Sequence, residues 1–140
     1  MIEDIYTYIQ GIITELDSDL LLLDDPFGND DYSSTNEVED GYKIIAGASS
    51  LTKDSSFFTR TIPVTIEITR KAYRDITEDY KPFYDFALLI ESSLVSPSRI
   101  TAEKFSNVLS LGVSPSTFDR NDRVLKFNIA VNFITYLDCD

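Results

Sequence analysis

Histidine is absent from this chain of 140 residues. Without it, nucleophilic catalysis by a Ser-His or Cys-His pair is excluded. The only cysteine is Cys139, which leaves no internal disulfide and no cysteine cluster for a metal. The five glycines are scattered, so no glycine-rich loop exists to cradle a phosphate. Unbroken apolar runs such as Leu20 to Leu23 and Ala87 to Ile90 are only a few residues long, far below the ~20 that span a bilayer. Basic residues are missing before Lys43, and the opening Glu3 and Asp4 are the opposite of a secretory leader, so a cytosolic site of synthesis is expected. The chain length suits a single domain over residues 1–140 with one core.

The charge is as uneven as the composition. Of the 24 acidic residues, half precede Lys43, where no base accompanies them, and the other half are matched by the 12 Lys and Arg that follow. The whole net charge of -12 therefore belongs to the first third. A surface of that sign repels nucleic-acid phosphates. It suits solubility, cation binding, a basic partner, or the lining of a passage through which DNA moves without adhering.

What is present is periodicity. The segment Arg123 to Tyr136 alternates strictly: Leu125, Phe127, Ile129, Val131 and Phe133 fall on one face, Lys126, Asn128, Ala130, Asn132 and Ile134 on the other. With no Gly or Pro to interrupt its ladder, it reads as a central strand. Ile2 to Leu16 has apolar residues at helical spacing, with Glu3 and Asp4 at the positive end of the helix dipole. Leu20 to Leu23 fits either a last helical turn or a strand fragment. Residues Asp24 to Asp40 lose all period and read as a long acidic surface loop.

Gly41 to Gly47 and Phe57 to Arg70 read as the strands of a long hairpin with a polar tip, Ala48 to Ser56. Pro63 lacks a ladder donor, so an edge position or a bulge is expected there. A helix is expected from an N-cap at Asp79 to about Val95, with Pro82 in its first turn and Ser96-Pro97-Ser98 as its stop. Thr101 to Ser114 shows a further alternation that sets Phe105, Leu109, Leu111 and Val113 against Ser106, Asn107, Ser110 and Gly112. Pro115 to Asp122 reads as a connection. The expected fold is α+β, an antiparallel sheet of about four strands with two helices packed on one face, in the order α-β-β-α-β-β.

Candidate sites are few. Asp24-Asp25 with Asn29-Asp30-Asp31 invites a Ca²⁺ site, but the spacing departs from an EF-hand loop, and a solvated acidic loop is the simpler account. Glu67, Asp75 and Asp122 would have to converge for a Mg²⁺-dependent nuclease. The tip carries Phe57 and Phe58 beside Lys53 and Arg60, either as hairpin packing or as a docking surface. Arg70, Lys71 and Arg74 form the dense basic cluster, either solvated or facing acids of a neighbouring copy.

Taken together, the order of elements, the strand Phe-Thr-Arg-Thr-Ile-Pro-Val-Thr-Ile-Glu-Ile, the helical run Tyr84 to Leu94 and the closing Asn-Ile-Ala-Val-Asn-Phe resemble the tail terminator (tail completion) proteins of long-tailed bacteriophages. The resemblance covers nearly the whole chain. It implies a structural protein rather than an enzyme, without cofactor or membrane partner. Such proteins form a hexameric homo-oligomeric ring that caps the tail tube, stops its polymerisation and joins tail to head, so the expected place is the neck of the virion after synthesis in the host cytoplasm. Expected partners are further copies of the chain, the tail tube protein, a head-tail connector or neck protein, and genomic DNA that passes without specific binding.

Under this resemblance Lys53, Phe57, Phe58 and Arg60 become the candidate tube contact, and Arg70, Lys71 and Arg74 the candidate inter-subunit cluster. Asp24, Asp25, Asp30, Asp31, Glu37, Glu39 and Asp40 become the candidate lumen or partner-facing surface. The length and acidity of that loop depart from the family pattern. Two alternatives stand beside this reading: another head-tail connector or neck component, and a small monomeric metal- or ligand-binding α+β module.

Overall fold

The computed structural model of the chain describes residues 2–23, 26, 41–53, 57–71, 76–100, 106–119 and 124–138. In chain order they form α1 (Ile2–Leu16), β1 (Leu21–Leu22), β2 (Gly41–Ala46), β3 (Ser50–Lys53), β4 (Phe57–Lys71), α2 (Ile76–Leu94), α3 (Pro97–Ile100), β5 (Asn107–Asp119) and β6 (Val124–Asp138). The class is α+β. The sheet, however, has six strands rather than four, three helices replace two, and the order of elements changes accordingly. The sheet is also mixed: its path is β1-β2-β4-β6-β5, with β3 also on β4, and β1 runs parallel to β2.

The spine of the molecule is the β4–β6 ribbon. The two strands pair without slip from Phe57 opposite Asp138 to Lys71 opposite Val124. At ~3.4 Å per residue that ladder is about 50 Å long. Alternation assigns its faces. Ile62, Val64, Ile66 and Ile68 on β4 and Leu125, Phe127, Ile129, Val131 and Phe133 on β6 are all buried on the helix side. Each such side chain contributes about 1.5–3 kcal/mol by leaving water.

The helices join this face in one buried cluster. α1 contributes Ile5, Tyr6, Tyr8, Ile9, Ile12 and Ile13, and α2 contributes Phe83, Ala87, Ile90 and Leu94. Two tyrosines fix α1 by their hydroxyls: Tyr6 donates to the Ile44 carbonyl at 3.0 Å, and Tyr8 to the Leu94 carbonyl at 2.6 Å. The second bond satisfies a carbonyl that the end of α2 leaves without a helical donor. The Phe83 ring meets Phe127 edge-on at 4.9 Å between centroids, a favoured aromatic geometry.

Several local expectations change. α2 begins at Ile76, before the expected cap at Asp79, so Pro82 lies inside the helix and removes the bond to the carbonyl four residues back. The stop at Ser96 holds, and Pro97 then starts α3, at the position where a missing N–H costs nothing. The tip expected to be bare contains β3, and the expected connection after Ser114 continues as strand to Asp119.

β5 also departs from its apparent alternation, because register shifts lie between Ser110 and Gly112 and between Pro115 and Thr117. Each extra residue reverses the faces that follow. Val108 is buried and Val113 half-buried against the core, while Leu109 and Leu111 are exposed. Gly112 permits the first shift with φ of 118°, a conformation L side chains rarely adopt.

Leu21–Leu22 resolves as a strand because β2 offers it an edge. There a Cβ on Gly41 would lie 2.8 Å from the Leu21 carbonyl oxygen, so the close approach of β1 requires glycine.

Candidate partner-binding arm

β2 and β3 lie in succession along one side of β4. Ala46 pairs with Val64, the partner strand breaks at residues 47–49, and pairing resumes with Ser50 opposite Thr61. Pro63 sits opposite the break, and its carbonyl accepts the Gly47 N–H at 2.7 Å. Since the N and C=O of a strand residue point to the same side, the donor that Pro63 lacks is missing where the partner strand is interrupted.

Beyond Ile62 and Phe133 the sheet continues without helices among the described residues. Five further β4–β6 pairs, Phe57 with Asp138 to Thr61 with Ile134, are joined by β3, giving an arm of three strands. None of its described side chains is buried. Leu51 is 49% exposed and Tyr136 54%.

The register sorts the arm's candidate residues. Lys53 lies opposite Phe58 and Leu51 opposite Arg60, and residues directly opposite share a face. Phe58 and Arg60 have the parity of buried Ile62, so Leu51, Lys53, Phe58 and Arg60 form one patch on the helix side of the sheet, past the last buried row. The Arg60 guanidinium is steadied by donating to Ser49 Oγ at 2.9 Å. The backbone of Phe57 belongs to the same arm, opposite Asp138.

The basic cluster has a different fate. Arg70 projects to the helix side, donates to the Asp17 carboxylate just past the end of α1, and lies 5.7 Å from the Phe83 ring centroid and 5.3 Å from that of Phe86. It therefore locks α1 to α2 within one chain, and it offsets an acid placed at the negative end of a helix dipole. Lys71 continues β4 opposite Val124, and Arg74 lies outside the described residues. So do Asp24, Asp25, Asp30, Asp31, Glu37, Glu39 and Asp40, together with Asp75 and Asp122.

Two further ion pairs are local. Arg99 on α3 holds the Glu15 carboxylate with two bonds of 3.0 Å. The hydrogen bond from Arg99, then its charge, lowers the Glu15 carboxyl below the ordinary glutamate value. Lys126 approaches Glu67 at 3.8 Å on the opposite face of the sheet. Among the described residues, no three acidic or cysteine side chains gather where they could hold a metal ion. No described helix is long and apolar enough to cross a membrane.

Sequence reasoning missed a second surface, at the corner where α2 meets β5. Ser110 Oγ donates to Glu91 Oε2 at 2.5 Å. Leu111 beside Ser110 is 63% exposed, and Leu88, one turn before Glu91, is 36% exposed. The alternation of residues 101–114 had set Leu111 on one face with Leu109 and Val113. Val108 and Ser110 hold the core face before the bulge, so Leu109 and Leu111 fall outside it, and the bulge, whose one signal is Gly112, brings Val113 opposite Ile129.

No protein-family model matches the chain, and no curated protein matches it.

Proposed function

We propose that this chain is a structural subunit of the tail-terminator kind, one that assembles into a ring, caps a phage tail tube, halts its growth and joins it to the head. The observation that carries this reading is the three-stranded arm. A fold stabilised only by its own core gains little from five ladder pairs beyond the last buried row, since none of their described side chains is buried. An assembling subunit gains a rigid extension whose register is set by the same ladder as the core. The α+β class and the unbroken closing strand support the resemblance on which the assignment rests. In this reading the acidic segment 24–40 lines the passage for DNA, on the argument of its charge alone.

The test is negative-stain imaging of the purified chain, alone and mixed with tail-tube subunits from the same genome. Rings, or tubes of fixed length with an added cap, are the expected result. A chain that stays monomeric in both settings, and whose melting temperature rises with Ca²⁺, would instead be a small binding module.

A further inference from the structure

The arm patch and the α2–β5 corner are complementary in shape of charge as well as in apolar character. On the arm, two cations, Lys53 and Arg60, stand beside half-buried Phe58 and exposed Leu51. At the corner one carboxylate, Glu91, is bonded to Ser110, with exposed Leu88 one turn before it on α2 and exposed Leu111 next to Ser110 on β5. Among the described residues Lys53 and Arg60 meet no carboxylate, and Glu91 meets no cation, its recorded bond being to the Ser110 hydroxyl. Elsewhere on the described surface, charges such as Lys81 with Asp85 and Arg99 with Glu15 are paired within the chain. Among the described residues the two sites thus carry unmatched charge of opposite sign, each flanked by apolar side chains that are half-buried or exposed.

They lie on different parts of the same chain. Two copies could seat each arm on the other's corner across a two-fold axis and stop at a dimer. A head-to-tail arrangement places arm on corner in every copy and, if the rotation closes, makes a ring. We propose that the arm of one copy docks on the α2–β5 corner of the next, with Lys53 and Arg60 facing Glu91 and with Leu51 and Phe58 covering Leu88 and Leu111. The proposal deepens the ring reading and rests on it.

The flanking strand cannot easily serve the same purpose by backbone pairing. The outer side of β5 is interrupted by two register shifts and by Pro115, features that discourage an added strand. Side-chain docking at the corner leaves those features in place.

The experiment is a charge exchange followed by a linkage. Self-association is measured by sedimentation for wild type, Lys53→Glu, Glu91→Lys and the double variant, alone and with tube subunits. Each single reversal is expected to weaken association about tenfold or more, because like charges then face each other, and the double variant to recover most of the loss. Lys53 is exposed, so Lys53→Glu is expected to melt as wild type does, which separates lost assembly from lost folding.

In a Cys139→Ser background, chains carrying Leu51→Cys and chains carrying Leu88→Cys are then mixed with a short thiol-to-thiol linker. Mixed dimers are the expected product. If rings form but survive both single reversals, or if the linker joins Leu51→Cys chains chiefly to one another, the arm-on-corner contact is wrong while the ring stands. If wild type forms no assembly in either setting, both the contact and the ring are wrong.

Discussion

The β4–β6 ribbon passes through two unlike environments without a change of register. From Lys71 to Ile62 its helix-side residues lie under α1 and α2, and the β4 side chains of that face from Ile62 to Ile68 are buried. From Thr61 to Phe57 the same ladder continues, but its described side chains are half-buried or exposed. Backbone hydrogen bonding is equivalent in both halves, so hydrophobic cover is what separates them. The covered half accounts for the stability of the fold, and the bare half is surface held at a fixed angle to it.

Substitutions can break or sharpen this contrast. The largest loss is expected in the covered half: Phe127→Ala removes a ring packed against Phe83, Tyr80 and Tyr84 and should cost about 3–5 kcal/mol, lowering the melting temperature by on the order of 10 °C. Gly41→Ala should cost about 1–3 kcal/mol in chemical denaturation, because the added methyl meets both the Leu21 carbonyl and the Leu23 side chain at 2.8 Å. Tyr8→Phe should cost about 1 kcal/mol, leaving the Leu94 carbonyl without its donor.

Glu15→Gln tests a smaller effect through pH. The folded chain holds the Glu15 carboxyl below its ordinary value, so the Arg99 pair stabilises the fold above about pH 4.5 and loses that contribution as pH falls through the lowered value. Melting temperature against pH should therefore fall less steeply below that point in Glu15→Gln than in wild type. In the bare half, Leu51→Ser should change stability by no more than about 0.5 kcal/mol while weakening assembly. A large loss of stability there would erase the contrast.

The covered half was largely legible from pattern alone. β6 alternates without interruption, so its buried face follows directly from Leu125 to Phe133, and α1 spans the residues its spacing marks. The departures have local physical causes. Leu21–Leu22 is too short for any period to assign, and its strand character depends on an edge supplied by β2. β5 misleads because a single-residue bulge after Ser110 reverses alternation, so Val113 turns to the core while Leu109 and Leu111, of the same apparent face, stay exposed. α2 starts at Ile76, ahead of the capping signal at Asp79, and so carries Pro82 in its interior.

The arm was half legible. Lys53, Phe58 and Arg60 do share a face there, but Leu51 gave no signal inside a polar stretch. Arg70 illustrates the converse: its charge invited an external partner, and only three-dimensional packing reveals Asp17 and two aromatic rings around it.

The most direct measurement is hydrogen exchange, residue by residue, on the free chain and on its assembly with tube subunits. The account predicts that the amides of residues 50–53, 57–61 and 134–138 exchange faster than those of the covered ribbon in the free chain, and gain protection on assembly, while the covered ribbon changes little. Unchanged exchange throughout the arm, with new protection confined to other surfaces, would contradict it.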